Sequence, residues 1–208
     1  MTIEADQALF GYDRGHRLIA SSRKLGKEAT WTLRNVTDMK VSKRNGHYLT
    51  ILPVPEIESH AFIRSWAAGG AFRPGSVWSH ALLIPSVELD KIEDLRVLVP
   101  LFTRPTIDNP AALAVLKVGY GMRLNVPDLV SAGVSTALPI DRSLVDRIVL
   151  TAYRSETTES ADVVVVDDAR AVEEIILGLM SQRWSHLRRH FSARTRFRPT
   201  AHKRWPLA

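Results

Sequence analysis

Two apolar runs lie between Phe62 and Ile84, in the stretch FIRSWAAGGAFRPGSVWSHALLI. They are joined by a connector carrying Gly69, Gly70, Pro74 and Gly75, residue types that reverse a chain. Alternation puts Phe62, Arg64 and Trp66 on one face of the first run, and Trp78, His80, Leu82 and Ile84 on one face of the second. The pattern predicts a buried antiparallel pair. Val77, Ala81 and Leu83 make the other face of the second strand apolar as well, which places it inside a sheet rather than at its edge.

The same reading extends along the chain. Ala5 to Tyr12 and His16 to Ser21 alternate as strands around the turn Asp13, Arg14, Gly15, which gives a hairpin with Gly where a left-handed conformation is wanted. Ala29, Leu33 and Val36 recur at helical spacing and predict a short amphipathic helix from Lys27 to Met39. Tyr48 to Val54 reads as a strand; Pro53 and Pro55 remove backbone donors, so its end lies at a sheet edge or leaves the sheet. Ser86 is placed to cap a helix running to Phe102, with Val87, Ile92, Leu95, Val99 and Phe102 as its buried stripe.

Beyond that point the pattern turns helical. Asn109 and Pro110 form a cap and first residue for a helix from Ala111 to Lys117. Gly121, Pro127, Gly133 and Pro139 interrupt any period between Tyr120 and Ile140, and Asp141 to Ala152 is helical again with Leu144, Val145, Ile148 and Val149 inward. The polar run from Ser155 to Ser160 reads as a loop and Val163 to Val166 as a strand. The longest helix is expected from Ala169 to Leu187, with Val172, Ile175, Ile176, Leu179 and Met180 inward, and Phe191 to Arg198 alternates as a strand with an arginine face. The expected fold is therefore α+β, a mainly antiparallel sheet covered by helices. A β-rich lobe over residues 1–105 and a helix-rich lobe over 106–208, ending in a basic strand, would form one compact unit.

Composition narrows the chemistry. A chain of 208 residues, 45% hydrophobic, can bury a substantial core. Without cysteine there is no disulfide framework, thiolate metal site or thiol nucleophile. No apolar run is long enough to span a bilayer and the N-terminus lacks a leader pattern, so a soluble cytoplasmic protein is the expectation. The net charge of +6 hides an asymmetry: every Asp and Glu lies at or before Glu174, whereas Arg183, Arg188, Arg189, Arg194, Arg196, Arg198, Lys203 and Arg204 follow it. A segment of this kind is an electrostatic footprint for an anionic partner: nucleic acid, an acidic protein surface or a phosphorylated ligand. Phe191, Phe197, Trp184 and Trp205 between the arginines would add base stacking to phosphate contacts.

Catalytic and metal motifs are sparse. Asp167 and Asp168 end an apolar strand, as in the magnesium-binding strand of a nucleotide hydrolase, but no Gly-rich loop ending in Lys and Ser or Thr accompanies them; a strand end and helix cap is the favoured reading. His186 and His190 have the spacing of a metal pair, yet Arg188 and Arg189 between them would repel a cation, so no metal site is assigned. His16 could act as a general base or ligand, against the ordinary reading of a turn histidine bonded to backbone or to Asp13. Arg64 and His80 could form an anion pocket or an acid and base pair, against structural hydrogen bonding in a polar inclusion. Nothing in the chain calls for a cofactor.

The runs QALFGYDRGHRLIASSRKL from Gln7 to Leu25, FIRSW from Phe62 to Trp66 and RPGSVWSHALLIP from Arg73 to Pro85 resemble the N-terminal domain of GTPase-associated protein one. LRRHFSARTRF from Leu187 to Phe197 looks like a later block of the same family. The resemblance implies a component of multigene bacterial conflict systems with antiviral roles, encoded beside a P-loop GTPase and acting as an adaptor rather than a catalyst. On this reading the protein partner meets Tyr12, Asp13, Arg14, His16, Arg64, Arg73, Trp78 and His80, while Arg188, Arg189, Arg194, Arg196, Arg198, Lys203 and Arg204 engage an acidic surface. The alternatives are a nucleic-acid-binding subunit using the same basic segment, and an enzyme using His16, Arg64 and His80.

Overall fold

A computed structural model describes residues 3–38, 47–69, 72–107, 109–128, 142–157, 169–182, 188 and 190–195. The described residues form an α+β fold around one seven-stranded antiparallel sheet. Strands β1 (Ile3–Tyr12), β2 (His16–Ser21), β3 (His47–Val54), β4 (Ser59–Ala67), β5 (Val77–Pro85) and β7 (Ala193–Arg194) lie in the order β2-β1-β5-β4-β3-β7, and β6 (Leu124–Val126) pairs with the start of β1.

The two runs singled out by their alternation are β4 and β5, and they pair in the register that the pattern requires. Phe62 lies opposite Leu82, Arg64 opposite His80, and Trp66 opposite Trp78. Both strands are interior. Each face of β5 is therefore buried, and Val77 to Ile84 is closed to solvent throughout. The predicted hairpin is also present, with Tyr12 opposite His16 and a bulge between Leu9 and Phe10. Its turn places Arg14 at φ 56 and Gly15 at φ 134, so the left-handed position falls on Arg14 as well as on the glycine.

One face of the sheet is covered by α1 (Lys27–Thr37), whose Ala29, Leu33 and Val36 meet Ala8, Phe10, Leu52, Ile63 and Leu83. The opposite face packs Leu49, Ile51, Phe62, Leu82 and Ile84 against Leu95, Leu98, Ile148, Val172, Ile175, Ile176 and Met180. At one end of that face Trp78 stands over Gly11, where an added Cβ would lie 2.0 Å from a ring carbon. The indole occupies the space that any other residue at position 11 would fill.

Several elements differ from the sequence expectation. The helix expected over Ser86 to Phe102 is a single turn, α2 (Ser86–Leu89), followed by a 3-10 segment (Leu95–Leu101). Ser86 makes no side-chain cap bond and Val87 is exposed; Asp94 caps the second segment by accepting from the Arg96 amide at 2.8 Å. Helix α3 (Leu113–Gly119) starts two residues later than expected, after a 3-10 turn that Asn109 Oδ1 opens by accepting from the Ala111 amide. Helix α4 (Arg142–Thr157) runs through Ser155, Glu156 and Thr157, where a loop is expected. Helix α5 (Ala169–Met180) ends at Met180 rather than continuing to Leu187, and β7 is two residues long, not eight. Met39, the strand over Val163 to Val166, Asp167, Asp168 and residues 183–187 lie outside the described residues.

The early end of α5 has a physical cause. Arg188 is fully buried, and its guanidinium donates to Met180 O at 2.5 Å, Ser181 O at 3.0 Å, Leu89 O at 2.7 Å and Ile92 O at 3.0 Å. Helix ends leave carbonyls without intrahelical partners, and a planar fork of donors can serve several at once. Two of these bonds reach the Leu89 and Ile92 carbonyls, where the helix expected over Ser86 to Phe102 is interrupted.

Arg188→Ala is expected to lower the unfolding free energy by about 3 kcal/mol or more in urea denaturation, with Arg188→Lys recovering little of it. A loss under about 0.5 kcal/mol would show that these carbonyls do not need the guanidinium. Gly11→Ala should cost about 1–3 kcal/mol through overpacking against Trp78, whereas Gly69→Ala, with open space at its Cβ, should stay within about 0.5 kcal/mol.

Candidate functional site

The register of β4 and β5 sets Arg64 beside His80 on the same inward face, but their side chains part company. Arg64 Nη2 pairs with Glu173 Oε1 on α5, and its guanidinium carbon lies 5.0 Å from the centre of the Phe102 ring. The second oxygen of Glu173 meets His47 Nε2 at 3.0 Å. Glu173 is buried, so this carboxylate joins β3 and β4 to α5.

His80 turns the other way. Its Nδ1 accepts from the Thr103 amide at 3.1 Å, which leaves Nε2 to carry the proton and donate to Gln7 Oε1 at 2.9 Å. Gln7 in turn donates from Nε2 to Gly119 O at 3.2 Å and Met122 O at 2.6 Å. Phe102 and Tyr120 stand edge-on to the imidazole. Burial disfavours the imidazolium and lowers the His80 pKa from 6.5 to about 3. His80 is thus a neutral junction between β1, β5 and the residues following α3.

A cleft of about 380 Å³ opens above this network, lined by Gln7, Pro100, Leu101, Thr103, Gly119, Tyr120 and Leu124. Its polar side chains are already engaged: Tyr120 donates its hydroxyl proton to Thr103 O at 3.0 Å and accepts from Thr103 Oγ1, and both amide protons of Gln7 are used. Among the described residues no group of three His, Cys, Asp or Glu is placed to hold a metal ion.

The other expected contact residues divide by exposure. Trp78 and His80 are buried, and Arg64 is largely so, which corrects their placement on an accessible surface; alternation puts them on a face that the 3-10 segment, α3 and α5 cover. His16 is half-buried and bonds Thr37 Oγ1 at 2.8 Å rather than Asp13. The threonine hydroxyl donates to Arg34 O, so His16 Nε2 is the donor. Burial lowers the His16 pKa, with Asp38 opposing and Arg34 adding to the effect. Asp13 instead pairs with Arg17.

Tyr12, Asp13, Arg14 and Arg73 lie where a partner can reach them. Because Phe10 pairs with Ser79 and Trp66 with Trp78, the β1–β2 turn and the β4–β5 connector meet at one end of the sheet.

The basic segment is corrected in part. Arg188 lies in the core, and Arg194 reaches back over the sheet, where Nε bonds Thr50 Oγ1 at 3.1 Å and Nη2 bonds Val36 O at the end of α1. Both guanidiniums serve helix C-termini, where cations and donors are favourable. Arg189, Arg196, Arg198, Lys203 and Arg204 lie outside the described residues. Gln7 and Glu173 were not anticipated, although each left a signal: Gln7 shares a strand face with Ala5 and Leu9, and Glu173 sits on the apolar stripe of α5 with Ile176 and Met180.

Residues 4–102 match the family described as GTPase-associated protein 1, N-terminal domain type 1. No curated protein and no solved structure matches the chain. Among the described residues no helix is long and apolar enough to cross a membrane.

The His80 network makes stability depend on pH with a definite sign. The unfolded chain takes up a proton near 6.5 and the folded state only near 3, so stability is complete above about 6.5 and falls as pH drops toward 3. The expected slope is roughly 1 kcal/mol per pH unit, measured by denaturation between pH 4 and 8. His80→Gln should flatten that slope, and an unchanged slope in the variant would assign it to other groups.

Proposed function

We propose that this chain, residues 4–102 of which match the N-terminal domain of GTPase-associated protein 1, is a non-enzymatic adaptor that binds a protein partner, a GTPase by the family's name, within a bacterial antiviral system. One observation carries the reading. The polar side chains on the sheet's inward face that chemistry could have used, His80 and Gln7 above all, are committed to bonds that hold strands and loops together. The exposed candidates stand instead on two loops fixed at one end of that rigid sheet.

This arrangement favours binding over turnover. A general base needs a nitrogen free to accept a proton from a substrate within about 3 Å. In His80 both nitrogens are engaged away from solvent. Reading a nucleic acid backbone is the alternative. It loses two of its proposed contacts to helix capping, Arg188 and Arg194, and retains Arg189, Arg196, Arg198, Lys203 and Arg204.

Affinity purification from a native host, with mass spectrometry and an absorbance ratio for nucleic acid, tests the proposal. The adaptor is expected to bring a stoichiometric protein partner that survives about 0.3 M salt. Recovery of nucleic acid alone, leaving as salt rises, would replace the adaptor with a backbone reader.

A further inference from the structure

The end of the sheet that carries the β1–β2 turn and the β4–β5 connector concentrates positive charge. Arg14 and Arg17 lie on the hairpin, Arg34 on the last turn of α1, and Arg73 on the connector; Arg104 is bonded through Nη2 to Ala67 O at the end of β4. All five are exposed. Contact between His16 and Thr37 brings the end of α1 to this hairpin, and the field of Arg34 reaches His16. The described acidic residues there are Asp13, paired with Arg17, and Asp38. The opposite end of the sheet carries Glu56 and Glu58 on the β3–β4 turn and Glu88 on α2, whose Ser86 amide bonds Glu58 O. That end also carries Arg23, Lys24, Lys27, Lys91 and Arg123, of which Arg23, Lys91 and Arg123 are paired with carboxylates, whereas among the described residues only Arg17 of the five arginines has a carboxylate partner.

We infer that this arginine-bearing end is the contact surface of the adaptor and that the partner offers it a carboxylate-rich protein surface. The inference rests on the adaptor reading and specifies its chemistry. Strand spacing makes the end about 15 Å across from β2 to β4, the scale of a helix or peptide laid along it. Guanidinium groups match carboxylates through paired donors. One feature favours carboxylates on a protein over phosphates on a nucleic acid. Asp13 and Asp38 would each confront a backbone of uniform negative charge, whereas a protein surface of mixed sign can place a cation opposite them.

The test uses the full chain carrying Arg196→Ala, Arg198→Ala, Lys203→Ala and Arg204→Ala, which removes half of the C-terminal basic residues. A fluorescent decaglutamate peptide and a short DNA duplex are titrated by anisotropy at about 50 mM salt. Arg14→Asn, suited to the positive φ, with Arg34→Ala and Arg73→Ala is then added. Decaglutamate is expected to bind the first protein and to weaken about tenfold on the second, with circular dichroism unchanged. Absence of binding by the first protein, or equal binding by both, would overturn the inference. So would tighter binding of the duplex with the same arginine dependence, which would make this end a phosphate reader. If the native partner is captured equally well by the triple variant, the adaptor stands and this surface is wrong; if no partner exists, the adaptor reading fails whatever the peptide does.

Discussion

A guanidinium and an imidazole on the inward face of two interior strands must find partners, because an unpaired buried charge costs several kcal/mol and an unbonded polar group about 1–3 kcal/mol. In β4 and β5 these groups are Arg64 and His80, set opposite each other by the register. The structure meets the demand with residues distant in sequence: Glu173 from α5 for Arg64, and Gln7 and the Thr103 amide for His80. Phe102 lies against both. The sheet and the elements that cover it are consequently interdependent. Neither Glu173 nor Gly119, whose carbonyl receives Gln7, falls within the residues that match the family.

The arginines near the C-terminus extend this dependence. Arg188 closes α5 onto the loop after α2, and Arg194 closes α1 from across the sheet, so two residues far along the chain finish helices that precede them. Their positive charge is spent on carbonyl groups. A charge count along the sequence cannot distinguish such a cap from a solvent-facing contact, because both need an arginine after an apolar helix. The converse holds in the first half. Up to Glu174 the chain has twenty basic and twenty-two acidic residues, a balance that suggests no basic surface, yet the fold sorts five arginines to one end of the sheet.

Local pattern located most of the architecture. The β4–β5 pair, the β1–β2 hairpin, α1 and the core stripe of α5 were legible because each repeats apolar residues at the period of its own geometry. The segment from Ser86 to Leu101 was not, since its helical spacing is real but its carbonyls are claimed by Arg188 and Asp94 restarts the chain as a 3-10 segment. Position 11 illustrates the middle case. A glycine in a strand signals close approach, but only the pairing of β1 with β5 identifies Trp78 as the group that approaches.

The sequence by itself determined that Phe62 to Ile84 is a buried strand pair, that Arg64 and His80 share a face, and that the chain resembles a GTPase-associated module, since alternation and motif are properties of neighbouring residues. Tertiary structure alone decided what those side chains do. It turned His80 into a neutral hydrogen-bonding junction, sent Arg64 to Glu173, buried Arg188 and left Arg14 and Arg73 facing solvent. Those outcomes depend on which distant groups arrive within about 3 Å, and no local period encodes that distance.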